Sequence, residues 1–180
     1  MDTQIHSAIS ATLPDWARET PVRFWDPGRK LLKSLRDYQK WRQRKGFAAL
    51  IIQKLCVFRH RFWSVVTGAD IPLNCQIGGG LRIPHPNGIV IHPAAIIGVN
   101  CLIHQQVTIG TKMNGGYPVI KGHVDMGAGA KILGGITLHE HCLVGANAVV
   151  TKDVNSYEVV AGIPAKVVKK LSANQSPGEE

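Results

Sequence analysis

From Ile71 onward an aliphatic position returns every six residues. The run is Ile71, Ile77 and Ile83, then after a two-residue slip Ile91, Ile97, Ile103 and Ile109, and after five extra residues Ile120, Met126, Ile132, Leu138, Val144 and Val150. All thirteen hexads open on an aliphatic residue or Met. The next residue is often Gly (Gly78, Gly98, Gly110, Gly127, Gly145). The fifth place is small or apolar, as at Cys75, Ala95, Cys101, Val107, Ala130, Cys142 and Ala148. A period of six fits neither a 3.6-residue helix nor a two-residue strand. It predicts a solenoid in which each hexad makes one short strand and one turn and three hexads close a triangular coil. The opening residue of each hexad then stacks inward on its equivalent about 4.8 Å away in the next coil. The expected fold class is an all-β solenoid, a parallel β-helix over residues 67–158, with an insertion at 112–119 that breaks the phase. Cys75, Cys101 and Cys142 take the small inward place, so packing and not catalysis is their expected role; Cys56 is expected in a core as well.

Residues 29–66 follow another rule. They contain no Pro and one Gly, Gly46. Leu31, Leu35 and Tyr38, and then Leu50, Ile51, Leu55, Phe58 and Phe62, fall at helical spacing, which predicts two helices divided at Gly46. Residues 1–28 read as a flexible N-terminus, and 159–180 as a C-terminal segment ending in a flexible tail over 172–180.

The net charge of +9 changes this picture in one place. Between Arg29 and Arg61 the only acid is Asp37, so the excess belongs to the helical extension. Arg36, Lys40, Arg42, Arg44 and Lys45 surround Gly46 as a solvated face or as a surface for anionic lipid headgroups or a lipid-linked substrate. No nucleic-acid-binding signature accompanies them, so nucleic acid is not an expected partner. Met1–Thr20 shows no charged start followed by an apolar run, and no stretch of about 18 apolar residues could span a membrane. The four cysteines form no CxxC pair. The expectation is a cytoplasmic chain with free thiols, at the inner face of the membrane if the basic helix binds lipid.

Candidate chemistry lies in local motifs. They are Ala161-Gly162-Ile163-Pro164-Ala165-Lys166 after the last hexad, Met126-Gly127-Ala128-Gly129-Ala130-Lys131-Ile132-Leu133-Gly134, Asp70-Ile71-Pro72, and His85-Pro86-Asn87-Gly88-Ile89-Val90. Over residues 45–168 these resemble the serine acetyltransferase branch of the hexapeptide-repeat acyltransferases, and most closely the short exopolysaccharide O-acetyltransferases of the colanic acid type. The resemblance implies a left-handed coil, a homotrimer that could pair into a dimer of trimers, and acetyl-CoA as co-substrate without a metal. It implies His85 as general base and Asp70, fifteen residues earlier, as its hydrogen-bond partner. With about eighteen residues per coil, that spacing sets the two on adjacent coils near one corner. It implies that the pantetheine arm of acetyl-CoA passes Gly110, Ala128 and Ala146 in a groove between subunits, with Pro164, Ala165 and Lys166 at the nucleotide end. Asn87, and Tyr117 in the inserted loop, are the candidate acceptor contacts. His104 is the rival base; His92, His139 and His141 read as surface turn residues.

The chain departs from that branch where serine would be held. Serine acetyltransferases carry an Asp immediately before the catalytic His and an Arg-His pair in the inserted loop. Here Pro84 and Gly116-Tyr117 stand instead, most of the family's N-terminal helical domain is missing, and Gly178-Glu179-Glu180 replaces its isoleucine-ended tail. These departures point to a hydroxyl of a sugar or exopolysaccharide precursor as acceptor, with serine as the alternative. A zinc carbonic-anhydrase-like site on His85, His92 and His104, and a non-catalytic scaffold, are the readings from other classes.

Overall fold

The computed structural model describes residues 9–113 and 115–171. The expected tail over 172–180 and residues 1–8 lie outside them. A single 3-10 turn, Trp16–Glu19, leads to α1 (Pro27–Arg42) and α2 (Phe47–Thr67). Pro27 opens α1 with φ preset for a helix, and Leu31, Leu32 and Leu35 bury its inner face. The chain turns at Gly46, whose φ of 108° suits glycine best. Thirteen short strands follow: β1 (Gln76–Ile77), β2 (Val90–Ile91), β3 (Ile96–Ile97), β4 (Leu102–Ile103), β5 (Thr108–Gly110), β6 (Val119–Ile120), β7 (Asp125–Met126), β8 (Lys131–Leu133), β9 (Thr137–Leu138), β10 (Leu143–Val144), β11 (Val149–Val150), β12 (Glu158–Ala161) and β13 (Lys166–Lys170).

The strands form three sheets. Sheet I is β1-β3-β6-β9, sheet II is β13-β12-β10-β7-β4, and sheet III is β11-β8-β5-β2. All pairs are parallel except β12–β13. From β3 to β11 successive strands visit the sheets in the rotation I, II, III, and the bridges of Arg82 to Leu102 and of Val154 to Leu138 fill the places missing before β2 and after β11. This is the order in which a three-faced coil would lay them down, and it leaves three corners, I–II, II–III and III–I. The thirteen opening residues of the hexads are all buried, as are Cys75, Cys101 and Cys142. Burial pushes the thiols of Cys101 and Cys142 up to about 12, far from a reactive thiolate.

One expectation needs correction. Residues 9–26, expected to be flexible, are tied to the first coil. Asn100 donates to the carbonyls of Ser10 and Leu13 at 2.7 and 2.8 Å, and Arg18 donates to those of Gly80 and Asn100 at 2.8 and 3.0 Å. The sequence hid this because the partners are backbone carbonyls some 60–90 residues away. The apolar stripe of α2 faces outward: Leu50, Ile51, Leu55, Phe58 and Phe62 are exposed, while Ala49, Cys56, His60 and Thr67 are buried. The face toward α1 and the first coil is built around a polar link, in which the two ring nitrogens of His60 bond Ser34 Oγ at 3.0 Å and the Ile71 carbonyl at 2.8 Å. Among the described residues no helix is long and apolar enough to cross a membrane.

A corner column as the candidate active site

The II–III corner carries most of the candidate residues. His85 and Asn87 lie in the turn between Arg82, which bridges to β4, and β2. Below them the same corner holds His104–Gln106, then Gly127–Gly129, then Gly145–Asn147. Backbone hydrogen bonds stack the turns: Gln106 N–H to Asn87 O at 2.9 Å, Gly129 N–H to Gln105 O at 2.8 Å, and Asn147 N–H to Ala128 O at 2.8 Å. Each turn places one residue in the left-handed region, and at Gly129, with φ of 73°, an added Cβ would also run into the Asn147 side chain. The segment after β12 closes the column. The Gly162 carbonyl accepts from Val149 N–H at 3.0 Å, and Ala165 N–H donates to the Val149 carbonyl at 2.9 Å. Ala128, Ala146, Pro164, Ala165 and Lys166 therefore line up along the corner that His85 occupies near its upper end.

Gly110 does not join them. The five extra residues shift the register, so that Thr108 pairs with Lys131 and Gly110 with Leu133. Gly110 thus ends β5 at the III–I corner. Tyr117 lies at that corner too, its ring stacked on His92 at 4.5 Å between centroids. His92 is in consequence separated from His85 and His104 within the chain, and among the described residues no group of His, Cys, Asp and Glu is arranged to hold a metal ion.

Asp70 bridges to Val90 in sheet III, one coil above it, with its N–H donating to the Ile89 carbonyl at 2.8 Å. Its side chain and that of His85 are both exposed, and no hydrogen bond joins them in this structure. His104, one coil below His85, is half-buried. Its imidazole is held below the ordinary value by burial first, then by the charges of His85 and Arg82, so that it stays neutral at physiological pH. A neutral ring beside the candidate base can donate or accept a proton without competing for charge. Gln105 Oε1 is buried with no partner, an acceptor available to an N–H brought to the corner. Sequence reading passed over Gln105 because a lone Gln in a hexad carries no periodic signal.

No family model matches the chain. Curated relatives do. The serine acetyltransferase of Synechococcus elongatus is 40% identical over 116 residues, covering 63% of this chain and 48% of the relative. That of Buchnera aphidicola is 36% identical over 146 residues, covering 71% and 55%. The chain thus spans about half the length of the curated relatives it matches. Among solved structures, a serine acetyltransferase in complex with cysteine superposes with a TM-score of 0.69 at 30% identity, covering 83% of this chain and 57% of that one. One in complex with CoA gives 0.66 at 32%, covering 80% and 57%. The finer likeness to exopolysaccharide acetyltransferases finds no support in these names. By sequence and by fold, the chain is similar to the serine acetyltransferases over the part of their length that it spans.

Proposed function

We propose that this chain is an acetyl-CoA-dependent O-acetyltransferase working on a left-handed β-helix, as a homotrimer with its donor groove between subunits. The observation that supports this most is the II–III corner, which carries His85 near its upper end and the Ala161–Lys166 segment at its lower end, with a run of small residues between. From Gly88 to Asn147 the column descends three coils, about 14 Å at the spacing of adjacent strands, a fitting length for a pantetheine arm. Lys166 is exposed at the lower end, where an ammonium offers a point charge to a nucleotide phosphate.

In the proposed reaction His85 takes the proton of the acceptor hydroxyl as the oxygen attacks the thioester carbonyl. Asp70, turning toward the ring when substrate is present, would fix its tautomer and steady the imidazolium. The oxyanion is met by a backbone N–H of the corner. The C–S bond then breaks, and the imidazolium returns its proton to the CoA thiolate. Expected for His85→Ala is a fall in kcat of at least ~10²-fold with acetyl-CoA affinity kept; unchanged turnover in a thiol-release assay would remove His85 from the role.

The relatives' names favour serine as acceptor. A sugar hydroxyl is the second reading, favoured by Pro84 and Gly116-Tyr117, which stand where the family holds the amino acid. Thiol release measured side by side with L-serine and a panel of nucleotide sugars and oligosaccharides decides between them. Turnover with serine alone establishes the first reading, and turnover with a sugar alone the second.

A further inference from the structure

The correction at residues 9–26 has a chemical side. By folding onto the first coil, this segment and the start of α1 enclose a cavity of about 320 Å³ against Arg82, Ile83 and Pro84. Four guanidiniums line it, those of Arg18, Arg23, Arg29 and Arg82, with Asp26 the one acid in the lining. Pro84 is the residue immediately before His85, so the cavity opens beside the candidate base.

The arginines fall into two pairs. Arg18 and Arg29 are builders: Arg18 holds the Gly80 and Asn100 carbonyls, while Arg29 donates to the Arg18 carbonyl at 3.0 Å and pairs with Asp26 at 3.2 Å. Asp26 also accepts from Val22 N–H at 3.2 Å, so its carboxylate is occupied. Arg23 and Arg82 make no side-chain hydrogen bond or ion pair among the described residues. Two acids outside the lining, Asp125 and Asp15, act on Arg18, and Asp125 also acts on Arg82. Asp125 is itself half-buried, and the loss of solvent pushes its carboxyl up to about 6 against the pull of the two guanidiniums. The lining remains strongly cationic. Arg18 is held below its ordinary value by burial first and by the charge of Arg82 next.

A strongly cationic lining is unfavourable unless an anion relieves it. Guanidinium forks fit phosphate oxygens in bidentate pairs. The sixteen-residue α1 points its N-terminus at the cavity, and Asp26 makes no side-chain capping bond to it, so the positive end of the helix adds to the arginines. The volume lies at the small end of small-molecule sites and is ample for a diphosphate.

Two sources could supply phosphate, the donor CoA and the acceptor. In the arrangement proposed above, the CoA phosphates lie at Lys166, at the opposite end of the column. The cavity is therefore on the acceptor side of His85. We propose that this arginine pocket binds the phosphate groups of a phosphorylated acceptor, placing a hydroxyl of the same molecule at His85. The proposal rests on the acetyl-transfer reading and favours its second acceptor class.

The test uses the full chain and inorganic pyrophosphate as probe, followed by calorimetry and by tryptophan fluorescence, since Trp25 lines the cavity. Pyrophosphate is expected to bind once per chain, more weakly as salt rises. The double variant Arg23→Ala/Arg82→Ala is expected to lose about tenfold or more in affinity with its melting temperature unchanged, because neither side chain holds the fold. Arg82→Gln alone serves if the double variant does not fold. Lys166→Ala, and saturation with CoA, are expected to leave pyrophosphate affinity unchanged. In turnover, pyrophosphate is expected to compete with the acceptor and not with acetyl-CoA. Absence of binding, binding indifferent to the arginine variants, displacement by CoA, or competition with acetyl-CoA each overturns the proposal. Failure of the underlying reading looks different: no acceptor releases thiol from acetyl-CoA, whatever pyrophosphate does.

Discussion

His123 carries an imidazole to a place that water does not reach. It is 1% exposed, at the I–II corner, with φ of 52°. Its Nδ1 lies 2.8 Å from Nδ1 of His141, one ring donating and the other accepting, and the His141 ring stacks on Tyr157 with centroids 4.8 Å apart. His123 Nε2 is buried without a partner. Burial first, then the charges of His141 and Arg18, holds His123 down to about 4, against an ordinary value of 6.5. The folded chain thus refuses a proton that the unfolded chain accepts below 6.5. The contribution to stability is whole above that pH and is lost as pH falls from 6.5 toward 4, by on the order of 3 kcal/mol. Asp125, raised to about 6, acts in the opposite direction over part of that range, so the comparison belongs between variants that both keep it. Asn tolerates a left-handed backbone and already serves at Asn100 and Asn147. Expected for His123→Asn is a clearly flatter fall in the urea midpoint between pH 7.5 and 4.5 than in the parent chain. An equally steep fall would assign the pH dependence to other groups. None of this was legible in the sequence, where His141 reads as an ordinary surface turn residue and His123 carries no motif. Only the stacking of turns, coil upon coil, brings the two rings together.

At the scale of elements, close approach decides more than propensity does. Gly28 sits in the first turn of α1, where a Cβ would come within 2.6 Å of the Ile83 carbonyl oxygen. In an isolated helix Gly→Ala is stabilising by about 1 kcal/mol. Here the sign is expected to reverse: Gly28→Ala pushes α1 off the first coil and costs roughly 1–3 kcal/mol, as overpacking does. A lowered melting temperature together with weakened pyrophosphate binding checks this, and a raised melting temperature would contradict it. The same scale shows what the sequence could and could not say. The inward positions were readable because a strict period of six needs only counting, and the division of the helices at Gly46 was readable because one glycine interrupts a Pro-free run. The outward face of α2 was not, since helical spacing of apolar residues looks the same whether a neighbour covers them or not. Gly110 was named from the family resemblance, and its place in the fold follows from the insertion. Counting in eighteens assumes an uninterrupted coil, and the extra residues move its partner from Ala128 to Leu133.

For the whole molecule, the separation of corners has an assembly consequence. Within one chain His85 stands at the II–III corner and Tyr117 at the III–I corner, so on the proposed trimer the inserted loop serves a neighbour's base. Two inactive variants, His85→Ala and a chain with 112–116 shortened to the hexad phase, should then complement each other. Mixed after subunit exchange, they are expected to recover on the order of a quarter of parent activity, as random head-to-tail interfaces allow. No recovery, with exchange verified by mass, would place the whole site in one chain.

A coil of parallel strands begins and ends with unpaired carbonyls and amides, and here both ends are occupied from within. At the start, Arg36 donates to the Ile77 and Gly78 carbonyls at 2.7 and 2.6 Å, Gln39 to the Cys75 carbonyl at 3.0 Å and Arg18 to that of Gly80. Glu19 locks Arg36 in place and accepts from Leu81 N–H. At the finish, β13 runs antiparallel along β12 and closes that edge. Side chains stand in for the coil that would otherwise come next. The clamp that shapes the first coil is therefore also a stop against polymerisation: without it, one molecule's first rung would be a template for another's last, and a soluble particle could grow into a fibre.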